Sequence, residues 1–212
     1  MLSLNPRYLK AATAVAVVGV MLSMFPQMGL SEDAPPKVGD VAADFELKSA
    51  SGDKVKLSQV VESGPVVLVV LRGYPGYQCP ACNTQVVQLL EKAEKLKAAK
   101  AQVLIVYPGP SKDLGKHADE FLKDKTIPDH FQLLLDPDFT FTKAYHLRWD
   151  APQETAYPAT FVVRKDRQIT FAKISKSHGG RTKPDEILKA LAPAGAGKTS
   201  AKSASDKTPL VE

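Results

Sequence analysis

Two apolar runs set the frame of the chain. Residues 65–71 (PVVLVVL) and 103–107 (VLIVY) carry no charge and show no polar alternation. A valine-rich run of this kind predicts a strand covered on both faces, as at the centre of a parallel sheet. Pro108-Gly109-Pro110 stops the second run. Between the two, residues 80–100 predict a helix. Val86, Leu89, Leu90, Ala93 and Leu96 form one apolar stripe, and Glu91, Lys92, Glu94, Lys95 and Lys97 fill the other face. Strand, helix and strand in that order predict a parallel crossover.

The flanking pattern is shorter in period. Residues 41–47 and 55–57 predict strands around the turn signal Ser51-Gly52-Asp53, with a short helix or turn at 58–64. After the second run, 112–125 predict a helix with Leu114, Ala118, Phe121 and Leu122 inward. Residues 131–135 predict a strand ended by Asp136-Pro137, and 138–147 a short helix. A loop at 148–158 holds the one tryptophan, Trp149. Residues 159–163 and 168–174 predict a hairpin about Lys165-Asp166-Arg167, and 184–191 the last helix. The chain is therefore α/β with a central mixed sheet flanked by helices. It begins β-α-β and closes β-β-α.

The ends read differently. Arg7 and Lys10 precede an uncharged stretch at 11–30, and small residues at Gly29 and Ser31 frame a cleavage site. Residues 1–31 are expected to be a signal peptide or, since 11–30 is just long enough, an N-terminal membrane anchor. Both alternatives imply export. Residues 193–212 are small and polar without periodic apolar positions and are expected to be a disordered tail. One folded domain is left at 37–192.

Charge adds little. The net charge is +5, and no basic run interleaved with aromatics marks a nucleic-acid surface. Cysteine adds much more. Cys79 and Cys82 are the only two in 212 residues, and they stand three apart where a helix is due to start. Chance placement gives that spacing in about one chain in a hundred. A disulfide here would close so short a ring that it would remove little unfolded-state entropy. Two cysteines supply half a zinc set, and His117, His130, His146 and His178 have no knuckle spacing. A copper(I) carrier using both thiols with His146 or His178 is a non-catalytic alternative, as is a redox-sensing module. Redox exchange is the reading that uses the spacing. At a helix start the thiolate is favoured by free N–H groups, with Pro80 harmless in the first turn.

With these residues in view, the chain resembles the peroxiredoxin, or AhpC/TSA, group of the thioredoxin-fold superfamily. The resemblance covers about 37–192. It implies a thioredoxin fold with peroxiredoxin-like N-terminal strands and a helix–strand–helix insertion at 112–147. In that group a peroxidatic cysteine closes a Pro-x-x-x-Thr-x-x-Cys motif. Pro75 and Cys82 keep this spacing, but Cys79 replaces the threonine and creates a thioredoxin-type Cys-Pro-Ala-Cys. The arginine of the group that precedes the late strand is replaced by Pro158, which resembles the cis-proline of thioredoxins. Tyr157-Pro158 is thus a candidate cis bond and a substrate-binding position.

The leading expectation is an exported thiol–disulfide oxidoreductase, with a thiol-dependent peroxidase as the alternative. In thiol–disulfide exchange Cys79 attacks and Cys82 resolves the mixed disulfide. In peroxide reduction, as the resemblance implies it, Cys82 attacks and its sulfenic acid is resolved by Cys79. Arg72, at the carboxyl end of the central strand, either holds a thiolate or an acid or stands in solvent. Arg181, in the His178-Gly179-Gly180-Arg181 loop, either replaces the missing arginine or sits on an ordinary surface loop. Tyr74, Tyr77 and Trp149 could form an apolar rim. No metal or cofactor is expected. The expected partners are a protein disulfide or hydroperoxide and an external thiol reductant, in a bacterial periplasm or cell envelope.

Overall fold

The computed structural model describes residues 34–192. The segments 1–31 and 193–212 lie outside the described residues. Among the described residues no helix is long and apolar enough to cross a membrane. Seven strands form one mixed sheet in the order β2-β1-β5-β4-β3-β6-β7. They are β1 (Glu46–Ser49), β2 (Lys54–Lys56), β3 (Val66–Val70), β4 (Gln102–Gly109), β5 (Phe131–Pro137), β6 (Ala159–Val163) and β7 (Ile169–Ile174).

The helices are α1 (Leu57–Val60), α2 (Pro80–Leu90), α3 (Ala93–Ala98), α4 (Leu114–Leu122), α5 (Thr140–Ala144) and α6 (Pro184–Leu191). β3 pairs parallel with β4 and antiparallel with β6, and β4 pairs parallel with β5. The first apolar run is thus an interior strand beside β4, the middle one of the seven. Successive side chains of a strand point to opposite faces, so it must be apolar on both. Val67, Val69 and Leu71 pack with Val86, Leu89, Leu96 and Ile187 on one face. Val66, Leu68 and Val70 pack with Leu57, Phe141, Tyr145 and Leu147 on the other. Each fully buried side chain of this size is worth about 1.5–3 kcal/mol.

Several boundaries move. The expected helix at 80–100 is broken: Lys92, at φ −108 and ψ 12, separates α2 from α3. Lys92 N–H bonds Leu89 O, a tighter turn than the helical pattern on either side. The apolar stripe survives the break, because Leu89, Ala93 and Leu96 are all buried. The expected strand at 41–47 is displaced to Glu46–Ser49, and Val41 makes only an isolated bridge to Gln168. The hairpin at Ser51-Gly52-Asp53 forms as expected, with Leu47 opposite Val55. The insertion contributes α4, β5 and α5, with β5 seated between β1 and β4.

Candidate active site

The site lies where β3 ends and α2 begins. β3 runs into a loop stitched to the neighbouring strand, with Leu71 N–H bonded to Val106 O and Tyr74 N–H to Pro108 O. Gly73 has φ +77, and a Cβ placed there would sit 1.9 Å from Pro108 O. Only glycine satisfies both the left-handed turn and the close approach. Gln78 pins the other end of the loop. Its Nε2 donates to His117 O at 2.8 Å, and its Oε1 accepts from Tyr107 Oη at 2.9 Å.

Cys79 is the N-cap of α2 and Pro80 its first residue. The Cys79 sulfur accepts from Cys82 N–H at 3.3 Å, one of the donors that a helix start leaves without a backbone partner. Both cysteines are free and buried, Cys79 being 4% exposed and Cys82 fully enclosed. Their environments are opposite. The Cys79 thiol is pulled down to about 5, chiefly by the hydrogen bond from Cys82. The Cys82 backbone N–H, the Arg181 charge and the Arg72 side chain add to this pull against burial. Burial pushes the Cys82 thiol up, and its hydrogen bond to Cys79 pushes it further.

Two arginines complete the site. Arg181 Nη2 lies 3.6 Å from Cys82 Sγ and 3.9 Å from Cys79 Sγ. The His178-Gly179-Gly180-Arg181 loop therefore brings Arg181 beside the thiols. Arg72 does not stand in solvent. It is 3% exposed, with Nε donating to Glu154 Oε2 at 2.5 Å, Nη1 to Tyr77 Oη at 2.7 Å and Nη2 to Gln153 O at 2.6 Å. Glu154 passes the contact on to His178 Nε2 at 2.8 Å. Its carboxyl is desolvated, yet the hydrogen bonds from Arg72 and His178 hold it below the usual glutamate range.

The Tyr157–Pro158 bond is trans, which corrects the cis expectation. Trans is the default of an X–Pro bond, and the surrounding backbone is satisfied by it. Tyr157 N–H donates to Leu147 O and Ser175 N–H to Pro158 O, each at 2.8 Å. These groups are therefore already used inside the protein. Of the expected aromatic rim, Tyr77 is 46% exposed beside Arg72, and Trp149 stacks on Tyr157 at 4.8 Å. Tyr74 turns away to stack on His117.

Glu154 and Gln85 were not anticipated. Gln85 follows Cys82 by three residues and so shares its buried face of α2, a position from which its polarity could have been noticed. Glu154 sits in a loop without periodicity and offered no signal. No group of three or more His, Cys, Asp or Glu side chains that could hold a metal comes together among the described residues.

The sheet order and the dithiol at the helix start define a thioredoxin-fold protein. The AhpC/TSA family model matches residues 38–172, and the chain belongs to that family. Two Mycobacterium tuberculosis proteins provisionally named as peroxiredoxins, from strains CDC 1551 and H37Rv, are 30% identical over 83 residues. That match covers 39% of this chain and 52% of theirs, so the chain spans about half the length of these relatives. The crystal structure of peroxidoxin BcpB from Mycobacterium tuberculosis aligns with a TM-score of 0.57 and 25% identity. It covers 73% of this chain and 96% of that one. A Chlorobium tepidum protein provisionally named as the thiol:disulfide interchange protein DsbE aligns with a TM-score of 0.54 and 24% identity, over 74% and 99% of the two chains. That second likeness speaks for the fold.

Proposed function

We propose that the protein is a thiol-dependent oxidoreductase in which Cys79 is the attacking thiolate and Cys82 the resolving thiol. The opposite environments of the two sulfurs carry this reading. A thiol held near 5 is ionised at neutral pH, whereas its enclosed partner stays protonated until Cys79 has reacted. The reversed assignment, with Cys82 as peroxidatic cysteine, asks the fully enclosed and protonated sulfur to attack first.

A small hydroperoxide is the substrate the site suits best. Cys79 is nearly closed off, and Tyr157 N–H and Pro158 C=O are bonded internally, so neither is free to pair with an extended polypeptide. The family membership supports a peroxide substrate, whereas the attacking role of Cys79 rests on the environments of the two sulfurs, because the family spacing falls on Cys82. Thiol–disulfide exchange is the second reading, favoured by the Cys-Pro-Ala-Cys sequence. We place the reaction outside the cytoplasm, by export through residues 1–31, with an external thiol reductant returning the Cys79–Cys82 disulfide to the dithiol.

Stopped-flow oxidation by hydrogen peroxide tests this in wild type, Cys79→Ser and Cys82→Ser. Rapid thiol loss that persists in Cys82→Ser and vanishes in Cys79→Ser is expected. Persistence in Cys79→Ser alone would reverse the roles. Slow oxidation of all three, with fast mixed-disulfide formation by Cys82→Ser, would replace peroxide reduction by disulfide exchange.

A further inference from the structure

One guanidinium nitrogen serves both reacting sulfurs. Arg181 Nη2 contacts Cys79 Sγ and Cys82 Sγ, while its other nitrogens are fixed elsewhere. Nε donates to His178 O at 3.1 Å, and Nη1 to Gln85 Oε1 at 2.9 Å. A guanidinium is planar and permanently charged, so holding Nε and Nη1 also fixes the direction of Nη2. Gln85 is buried on the helix that carries the thiols, and this ties the charge to their frame.

We infer that Arg181 is a catalytic residue shared in time by the two sulfurs. It faces the thiolate on Cys79 before attack and the negative charge developing on Cys82 during resolution. The inference rests on the role assignment proposed above. In the first step the Cys79 thiolate bonds the terminal oxygen of ROOH and the O–O bond breaks. The departing alkoxide takes a proton from solvent to leave as ROH, and Cys79 becomes a neutral sulfenic acid. In the second step Cys82 sulfur bonds Cys79 sulfur and the S–O bond breaks. The Cys82 proton leaves with the hydroxide as water. Two electrons pass from the dithiol to the peroxide.

The handover follows from electrostatics. While Cys79 is ionised, a second thiolate in contact with it is repelled, and Cys82 stays protonated. Oxidation of Cys79 removes that charge and leaves Arg181 without a counter-ion, already in contact with Cys82. The resolving thiol is therefore activated by the completion of the first step, and no second cation is required.

Single-cysteine proteins separate the two sulfurs. Cys82→Ser and Cys79→Ser are each prepared with Arg181, Arg181→Lys and Arg181→Gln, and the pH dependence of iodoacetamide alkylation is measured with denaturant unfolding as a control. Arg181→Gln is expected to raise the alkylation midpoint of both sulfurs by about one pH unit or more, with Arg181→Lys between. In the two-cysteine protein at neutral pH, the second phase of thionitrobenzoate release from Ellman's reagent, which reports Cys82, slows about tenfold or more in Arg181→Gln, while the first phase changes little because Cys79 stays ionised. A shift confined to one sulfur, or lower stability with both midpoints unchanged, overturns the sharing. A fast first phase in Cys79→Ser would sink the assignment of roles instead, and the paired midpoints would still decide the part of Arg181.

Discussion

Arg72 Nε and Glu154 Oε2 meet at 2.5 Å although 82 residues separate them in the chain. The pair joins the end of the central strand to the loop before β6, and Arg148 holds that loop by donating to Glu154 O and Thr155 O. Glu154→Ala would leave a guanidinium that is 3% exposed without its carboxylate. Losing one partner of such a pair costs about 3–5 kcal/mol, and urea unfolding should read a loss of that order. Glu154 ionises more readily in the folded protein than in the unfolded chain. Its contribution is therefore complete above the ordinary glutamate pKa of about 4.3 and is lost as pH falls through the lower folded value.

The Cys79 thiol links reactivity and stability to pH. Its folded pKa of about 5 makes the alkylation rate level at neutral pH and half-reduced near 5. The same shift means that the reduced protein gains stability as pH rises from about 5 towards the unfolded cysteine value of about 8.5. The raised Cys82 thiol acts in the opposite sense, but only once pH exceeds that unfolded value. Reduced wild type should therefore resist urea better at pH 8 than at pH 5.5, and Cys79→Ser should lose that rise. Equal slopes in the two proteins would refute the depressed thiol.

Gly73 should accept no side chain. An alanine there must adopt a left-handed backbone, costing about 1–3 kcal/mol, and must also displace Pro108 O. Gly73→Ala is expected to lower stability by about 3 kcal/mol or more and to slow Cys79 alkylation, because the loop it distorts positions the N-cap. Thermal unfolding and alkylation rates check both effects.

The central strands could be read because β3 and β4 are short, valine-rich runs that are apolar on both faces and flanked by Gly or Pro, whereas a buried helix needs a longer run. The dithiol could be read because spacing alone singles it out. The break at Lys92 could not, since Leu89, Ala93 and Leu96 keep helical spacing through it. Arg72 was ambiguous for a different reason. Its burial depends on a carboxylate from a loop with no periodic signal, and sequence does not report which distant loop returns to a strand end. Arg181 was legible as a candidate but not as a contact of both sulfurs, because that depends on Gln85 and His178 O fixing its two other nitrogens.

Cys79 caps a helix whose first turn holds Cys82, and under the proposed peroxide reduction this sets how many turnovers the protein survives. A resolving thiol held on a distant segment must wait for local unfolding, a process of microseconds to seconds, whereas one a helical turn away needs no such opening. Here the sulfenic acid on Cys79 has its partner already alongside. A second peroxide has little time to drive it to the irreversible sulfinic acid. Under excess hydrogen peroxide, mass spectrometry should find wild type arrested as the disulfide and Cys82→Ser advancing to the sulfinic form. On the proposed reading, the short helix turn thus protects the site against its own oxidant.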